Sequence, residues 1–459
     1  MTRSWWLLLL AAACGGGGGA ADGQRAPDGA IDAADDAAVD APPDPLCTPT
    51  GAEPGDVQVL LPAVDPTDRL VVIASDRSGT MLTRLEATGS TTATVTVPSC
   101  GMVTVWSGAY AGAPNLLTWT GVQPGDVLHD PRAHLTVIDT PVAVQLPDAG
   151  VNQAYYVALA CDGGYVTNQA TQSSGVFPTD AECSPSAPTL YASVAAVSLT
   201  DLNGPAQLAT ASATIQGITT SITLPALAPP PSTFDLSLTD ISDYNNLWIY
   251  TSTLPAPGIV LPYRTLYLAI PGSTLDVPAV AAPAGPMVLR LSSIDDQNGV
   301  GLIRGYEAAP ASVALSATQD LLPTLPSIST GVVKEHRYLT PAISLTPIAG
   351  SLMVGEIAVH EPGDTLYWTI VAPPEGATTT LRYPALPPDL LYVAPEDTEV
   401  DYEFAGVYAI GDTPDYATDR GRLDLVDAPP TATSSVRSTT RTPIIERRHR
   451  AGLPVPWRR

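Results

Sequence analysis

The stretch TATVTV at Thr92–Val97 alternates threonine with alanine or valine, and it ends at Pro98. An alternation with a period of two places one set of side chains on each face of a β-strand. Because proline lacks the amide hydrogen that a central strand donates, it ends a strand or lies in an edge strand. The stretch therefore predicts a short, half-buried strand that Pro98 closes.

The same pairing of an alternating run with a closing proline recurs along the chain. The chain contains 47 prolines and 37 glycines, which disfavours long helices and favours short strands joined by turns. These features predict an all-β protein, and the unequal spacing of the prolines argues against strict sequence repeats. The pattern apolar-x-apolar-Pro occurs at Pro62, Pro98, Pro147, Pro225, Pro278 and Pro384, with a less regular copy around Pro326.

The predicted architecture is a series of β-sandwich domains of immunoglobulin-like type, with a β-propeller as the alternative fold. A chain of this length leaves room for about four sandwiches of ~100 residues each. We place these domains at residues 47–134, 135–228, 229–330 and 331–446, and a basic C-terminal tail follows at 447–459.

The first residues have the features of an export signal. Arg3 precedes an apolar run from Trp5 to Ala13, which is too short to span a bilayer, since spanning takes about 20 residues. The small residues before Cys14 resemble the lipobox of bacterial lipoproteins. This resemblance implies that residues 1–13 are a signal peptide and that Cys14 receives a lipid. The alternative is an ordinary secretory signal followed by a chance cysteine.

Residues 14–46 form a glycine-rich and then acidic segment, in which seven aspartates accompany Arg25 alone among basic residues. Such a segment buries too little apolar surface to offset its chain entropy, so we expect a disordered tether. The segment resembles the flanks of lipoproteins of diderm bacteria. With Gly15 after the cysteine, the resemblance implies a lipid anchor in the outer membrane of the cell envelope, with the body in the periplasm or at the surface.

Four further cysteines, Cys47, Cys100, Cys161 and Cys183, follow the tether. An even number of cysteines in an exported chain indicates two disulfides, for which three pairings exist. We favour Cys161–Cys183 because the enclosed loop is short, which leaves Cys47–Cys100. No two of these cysteines have the C-x-x-C spacing of zinc or redox sites.

Two stretches resemble uncharacterised myxobacterial lipoproteins. Residues 71–80 combine a strand, an Asp-x-x-Gly turn and a second strand, and with the run that ends at Pro98 they resemble a carboxypeptidase-regulatory-like or Ig-like sandwich module over residues 55–130. The segment at residues 155–194 resembles a disulfide-bridged second sandwich of the same proteins. Such modules are usually non-catalytic, so the resemblance implies no catalytic residues.

The formal net charge of −25 is unevenly distributed along the chain. A body this acidic repels nucleic acid, so we expect no nucleic-acid partner. The basic C-terminal residues could contact anionic lipid headgroups or polysaccharide, or they could form a solvated tail. They are Arg437, Arg441, Arg447, Arg448, Arg450, Arg458 and Arg459.

His129 and His134 lie close in sequence to Asp126 and Asp130, and these residue types bind zinc and other transition metals. Their spacing matches no standard motif and Pro131 prevents a helical arrangement, so a polar loop is the favoured interpretation and no metal site is expected. The sequence contains no nucleophile elbow, phosphate loop or dinucleotide fingerprint. We therefore predict no catalytic residues, no cofactor and no enzyme activity.

Two strand-like stretches in the last third of the chain carry opposite charges. Glu399, Asp401 and Glu403 alternate with apolar residues, while Arg437 and Arg441 share one face of a later stretch. An antiparallel neighbour that bears the arginines would relieve the repulsion between the carboxylates, by ~0.2–1 kcal/mol per cross-strand pair. We predict that the two strands are adjacent.

Trp106, Trp119, Trp248 and Trp368 lie in apolar strand-like runs, where the core is the default position in a sandwich. We expect a non-enzymatic, lipid-anchored envelope protein with a structural or binding role, whose partners are the membrane and an envelope polysaccharide or protein. One alternative is a carbohydrate-binding surface protein, which requires two tryptophans exposed on one face. The other is a secreted hydrolase whose site is assembled from distant loops.

Overall fold

In its described residues, the computed structural model is built almost entirely of β-strands, with two single-turn helices, α1 (Ala317–Asp320) and α2 (Tyr416–Asp419). The structure describes residues 47, 53–61, 69–108, 115–130, 138–150, 152–161, 167–171, 174–183, 189–215, 220–257, 259–270, 272–294, 298–323, 328–329, 332–333, 338–339, 342–344, 352–361, 364–374, 378–381, 384, 386–387, 389–390, 399–420 and 435–441.

The strands fall into four groups, which we call units 1 to 4. Unit 1 contains β1 (Gly55–Leu60), β2 (Leu70–Ser75), β3 (Met81–Glu86), β4 (Thr92–Val97), β5 (Gly101–Ser107), β6 (Asn115–Val122) and β7 (Val127–His129). Unit 2 contains β8 (Ile138–Leu146), β9 (Gln153–Cys161), β10 (Thr167–Thr171), β11 (Gly175–Cys183), β12 (Thr189–Ser198), β13 (Gln207–Thr214) and β14 (Thr220–Thr223).

Unit 3 contains β15 (Ser232–Thr239), β16 (Asn246–Ala256), β17 (Ile259–Ala269), β18 (Thr274–Ala282), β19 (Met287–Ile294), β20 (Asn298–Tyr306) and β21 (Ser312–Ser316). Unit 4 contains β22 (Ile328–Ser329), β23 (Val332–Val333), β24 (Tyr338–Leu339), β25 (Ala342–Ser344), β26 (Leu352–Glu361), β27 (Asp364–Ala372), β28 (Thr378–Thr380), β29 (Glu399–Ile410) and β30 (Ser435–Arg441).

One strand arrangement recurs in units 1, 2 and 3. The first strand of each unit lies between the fourth and the seventh in a three-stranded sheet, and the other four strands follow the order third, second, fifth, sixth. Unit 4 repeats the four-stranded arrangement with β27-β26-β29-β30, while β25 lies between β28 and β22. An immunoglobulin constant domain instead places its second and fifth strands with the first and fourth.

The paired sheets confirm the predicted all-β sandwich architecture. Buried side chains from both sheets of unit 2 form one apolar core, and those of unit 3 form another. The propeller alternative is wrong, because the sheets face each other in pairs and none that the described strands form closes around an axis. The period-two stretch Thr92–Val97 is β4, whose valines are buried while its threonines are exposed.

Three of the four-stranded sheets are fused edge to edge into one twelve-stranded sheet, in the order unit 3, unit 4, unit 1. At the first seam β20 pairs antiparallel with β30, and at the second β27 pairs parallel with β6. Units 1 and 4 are thus joined by backbone hydrogen bonds although they are far apart in sequence.

The three-stranded sheets cover both faces of this long sheet. Trp119 and its register partner Val371 lie in the core under the sheet β4-β1-β7. Ile303 packs into the same cluster as Trp119. Because adjacent residues of a strand point to opposite faces, its neighbour Leu302 lies on the other face of the long sheet, in the unit 3 core. Strands β2 and β6 are covered on both sides, and every residue in them is buried.

Strands β3 and β17 form the two ends of the twelve-stranded sheet. In β3, Leu82 is an extra residue, because Thr83 pairs with Ala74 whereas Met81 pairs with Ser75. An extra residue of this kind bends the strand and interrupts its row of hydrogen bonds.

Ion pairs cover one face of β3. Arg84 contacts Asp389 at 2.7 Å and Glu86 at 2.6 Å, and Arg69 contacts the same two carboxylates at 2.8 Å each. Asp389 belongs to unit 4, so this surface network also connects units 1 and 4.

Unit 2 lies outside the long sheet and packs its own four-stranded sheet against β17. Small residues of unit 2, such as Ala158 and Ala160, contact Ile259 and Leu261. Arg264 of β17 is only 4% exposed, and it donates hydrogen bonds to carbonyl oxygens of unit 2 at 2.8 and 3.1 Å. Between the strands that the structure describes, the contact is therefore an interface of side chains and loops without strand pairing.

Both predicted disulfides are present. Cys161 and Cys183 end β9 and β11, which belong to different sheets, so their bond ties the two layers of unit 2 together. Cys47 and Cys100 form the second bond and enclose β1 to β4.

The predicted adjacency of the acidic and basic strands is confirmed, but the expected charge pairing is wrong. Strands β29 and β30 are antiparallel neighbours. Arg437 and Arg441 lie opposite Ala409 and Ala405, however, because β30 overlaps only the second half of β29. The acidic half pairs with β26 instead, and a bulge at Glu403 interrupts its alternation.

Candidate binding face on unit 3

The predicted lipidation residue Cys14, the candidate ligand His134 and the tail 447–459 lie outside the described residues. Asp126, His129 and Asp130 are described, but the structure does not bring them into a metal site. Within the described ranges, no group of three or more histidine, cysteine, aspartate or glutamate side chains is placed to hold a metal ion. His129 ends β7 rather than lying in a polar loop.

Asp126 has a structural partner that the sequence did not reveal. Its carboxylate pairs with the guanidinium of Arg420, whose side chain is 4% exposed. Arg420 also donates to the carbonyl oxygen of Gly121 at 2.8 Å, and its own carbonyl accepts from the indole nitrogen of Trp119 at 3.0 Å. Because Arg420 belongs to unit 4 and Asp126, Gly121 and Trp119 belong to unit 1, these contacts hold the two units together.

The four tryptophans divide between core and surface positions. Trp119 and Trp368 are buried, as predicted for a sandwich. Trp106 is partly buried and packs against the apolar cluster that contains Leu116 and Trp368, whereas Trp248 is partly buried on the face of the long sheet opposite the unit 3 core. The guanidinium of Arg69 covers the ring of Trp106 at 5.7 Å, whereas Trp248 lies among tyrosines.

Trp248, Tyr250 and Tyr267 form what we call the aromatic face, on the outward side of the unit 3 sheet. Leu247 and Ile249 point into the core, so the alternation of β16 directs Trp248 and Tyr250 outward. Tyr267 is the register partner of Trp248 on β17. The ring centroids of Trp248 lie 4.6 Å from Tyr267 and 6.2 Å from Tyr250.

The aromatic face combines an apolar surface with polar groups at its margin. Arg290, the register partner of Tyr250 on β19, places its guanidinium 5.8 Å from the centroid of that ring. A cation over an aromatic ring is attracted by the electrons of the ring face. Burial raises the pKa of Tyr250 above its usual value, so its hydroxyl stays protonated at neutral pH. Tyr267 is the most accessible of the three, at 43% exposure.

Asn203 of unit 2 holds the backbone beneath Tyr267. Its side-chain amide donates to the carbonyl oxygen of Tyr267 at 2.7 Å and accepts from the amide nitrogen at 3.2 Å. This pair of bonds imitates a neighbouring strand and occupies the free edge of β17 at that residue. The most exposed ring is thus supported by a second unit.

The sequence contained part of the signal for this face. The run Leu247-Trp248-Ile249-Tyr250 already places both aromatic residues on one side of a strand. Tyr267 and Arg290 join them only through the strand pairing of β16 with β17 and β19, which the sequence does not reveal.

No protein-family model and no curated protein matches this chain. Among solved structures, the tetra-tandem repeat in the extending region of a large adhesion protein aligns over 79% of this chain and 96% of its own, with 12% identity and a TM-score of 0.12. The Bacillus anthracis TIE protein aligns over 57% of this chain and 50% of its own, with 10% identity and a TM-score of 0.15. Likenesses this low carry no argument about function.

Among the described residues, no helix has the length and apolar character needed to span a bilayer.

Proposed function

We propose that this chain is a non-enzymatic, lipid-anchored protein of the bacterial outer membrane that binds an envelope polysaccharide through the aromatic face. The observation that carries the proposal is the grouping of Trp248, Tyr250 and Tyr267 on one outward face, where two tyrosines take the place of the second exposed tryptophan that the sequence criterion required. Rings of this kind offer a flat apolar surface beside polar groups, which suits the apolar faces and hydroxyl groups of a sugar.

The surroundings of the aromatic face support binding to an extended ligand. The face belongs to a pleated sheet rather than to a deep cavity, so a polymer can cross it without threading into the protein. The rings are held by β16 and β17, and Asn203 fixes the backbone of Tyr267. A preformed surface loses little conformational freedom when a ligand binds.

Binding can be tested with an array of bacterial surface polysaccharides and the mature chain. We expect at least one polysaccharide to bind and to change the fluorescence of Trp248. The variants Trp248→Ala and Tyr267→Ala should each weaken this binding by about tenfold, as for central aromatic contacts. Trp106→Ala is the matched control, because it removes a partly buried tryptophan from another unit.

Two results would refute glycan binding. One is an array without any bound polysaccharide, and the other is an equal loss of binding in the Trp106→Ala variant. Thermal melting of each variant separates lost binding from lost folding, since Tyr267 is exposed and its truncation should leave the fold intact.

The lipid anchor requires a separate experiment in the native host. Labelled palmitate should enter the wild-type chain, and Cys14→Ser should abolish the label and release the protein from the membrane fraction. If the Cys14→Ser variant stays in the membrane fraction like the wild type, the anchoring proposal is wrong, whatever the result of the glycan array.

A further inference from the structure

A polar cleft lies at the seam between units 3 and 4, on the face of the long sheet opposite to the aromatic face. Its volume is about 120 Å³. The register of β20 and β30 pairs Arg304 with Ser435 and Leu302 with Arg437, so both arginines emerge on one face as diagonal neighbours. The cleft is lined by Arg304, Gln319, Asp320, Asp412, Ser435 and Arg437.

One arginine of the cleft is already neutralised. Arg304 pairs with Asp320 at 2.9 Å. The other carboxylate oxygen of Asp320 accepts from the backbone amide of Ser316 at 2.9 Å. Both oxygens of Asp320 are thus engaged, and the pair forms one fixed wall of the cleft.

The remaining two charges of the cleft are not paired with each other. In the part of the chain that the structure describes, no ion pair involves Arg437 or Asp412. The only contact of the Asp412 carboxylate described there is a long one, 3.5 Å from the hydroxyl of Ser435. A guanidinium and a carboxylate therefore face the same small space and leave room between them.

We propose that this cleft binds the zwitterionic headgroup of a small α-amino acid. Arg437 would bind the carboxylate of the ligand through two parallel N–H donors, and Asp412 would accept from its ammonium group. A ligand with zero net charge also avoids the repulsion that a chain of charge −25 exerts on free anions.

The size of the cleft fits this class of ligand. A volume of about 120 Å³ is several times the roughly 10–15 Å³ of accessible space that one water molecule requires. Pockets for drug-sized molecules have about 300–1,000 Å³, so a large ligand could place only its headgroup here. This inference does not depend on glycan binding, because the two sites lie on opposite faces and share no residue.

The test uses alanine as the probe and saturation-transfer NMR on the mature chain. N-acetylalanine lacks the ammonium group and alaninamide lacks the carboxylate, so each analogue should bind at least tenfold more weakly than alanine. The variants Arg437→Gln and Asp412→Asn should each weaken alanine binding at least tenfold. Arg77→Gln, which removes a charge from a turn of unit 1, should leave it unchanged.

Three outcomes would overturn the proposal. The first is the absence of saturable alanine binding up to about 10 mM. The second is N-acetylalanine binding as tightly as alanine, which would make the cleft a plain anion site. The third is an equal loss of binding in Arg77→Gln, which would show a general effect of net charge.

Discussion

At the scale of single residues, Arg420 illustrates how one buried side chain can join distant parts of a chain. It pairs with Asp126, donates to Gly121 and lies 5.4 Å from the ring centroid of Tyr416. Its Nε atom has no hydrogen-bond partner among the described residues, so the site is not fully satisfied there. A buried ion pair affects stability most when one partner is removed, because the remaining charge is then left buried without a partner.

We expect Arg420→Ala to lower the free energy of unfolding by about 3–5 kcal/mol, because Asp126 would remain partly buried without its cation. Urea unfolding followed by tryptophan fluorescence measures this loss. The control Arg77→Ala should change stability by less than ~0.5 kcal/mol, since Arg77 lies in a surface turn. A cost below about 1 kcal/mol for Arg420→Ala would show that Asp126 finds adequate solvation on its own.

The surface network around Asp389 should make a small, pH-dependent contribution. Hydrogen bonds from Arg84 and then Arg69 hold the pKa of Asp389 well below its usual value. A lowered pKa in the folded state stabilises the protein above the unfolded pKa of about 3.9, and this stability is lost as the pH falls further. Because the side chains are 26–50% exposed, the contribution should stay below ~1 kcal/mol.

The variant Asp389→Asn should therefore melt slightly below the wild type at pH 7, and the difference should shrink as the pH falls below about 4 and vanish only below the lowered folded pKa of Asp389. Melting temperatures across this range, at low and high salt, provide the measurement. A difference that stays the same from pH 7 to pH 2 would mean that Asp389 acts through packing rather than charge.

At the scale of elements, the positions of the closing prolines predicted more about the fold than the number of prolines did. Pro98, Pro147, Pro225 and Pro278 lie at or just beyond strands of the three-stranded sheets, and Pro384 follows the last residue of β28, Thr380, at a greater distance in sequence. Strand β18 continues past Pro278, because an edge strand tolerates proline. The next residue, Ala279, has a positive φ, and the pairing register of β18 shifts at this point. These signals thus marked one layer of each sandwich.

The other layer could be predicted only in part. Fully buried runs such as Leu70–Ser75 are unusual in an antiparallel sandwich, whose strands normally have one solvated face. Such runs indicate that something covers the second face, but they do not say what. The fusion of units 1 and 4 depends on contacts between residues about 250 positions apart, for example Thr120 with Val371, and no local pattern encodes these.

The Cys161–Cys183 bond belongs to this scale because it joins the two sheets of unit 2. The entropy of a loop with a sequence separation of 22 corresponds to about 3 kcal/mol. We expect the double variant Cys161→Ala/Cys183→Ala to lose about this much stability in denaturant unfolding. Reduction of the wild type should lower stability further, since it also opens Cys47–Cys100. No change in the double variant would indicate compensating strain in the native bond.

At the scale of the whole molecule, the long sheet makes three units one structural body and leaves unit 2 attached through side chains. Units 1, 3 and 4 share backbone hydrogen bonds across both seams, whereas unit 2 contacts β17 through small apolar clusters and Arg264. Cooperative units in unfolding follow such differences in contact density.

We therefore predict two transitions in scanning calorimetry, one for unit 2 and one for the fused units. The variant Cys161→Ala/Cys183→Ala should shift only the first of these, whereas Arg420→Ala should shift only the second. A single transition that both variants shift equally would show that the interface around Arg264 couples unit 2 to the rest.

The amide of Asn203 has a consequence for assembly. A sheet with exposed edge strands can pair with strands of further copies, and such edges are the usual starting points of fibrillar aggregation. At one end, Asn203 already fills the bonding positions of Tyr267, and at the other, the extra residue Leu82 interrupts the ladder. We therefore expect lateral pairing of further copies to be disfavoured at both ends of the three fused units, so that the chain resists polymerisation through its sheet edges.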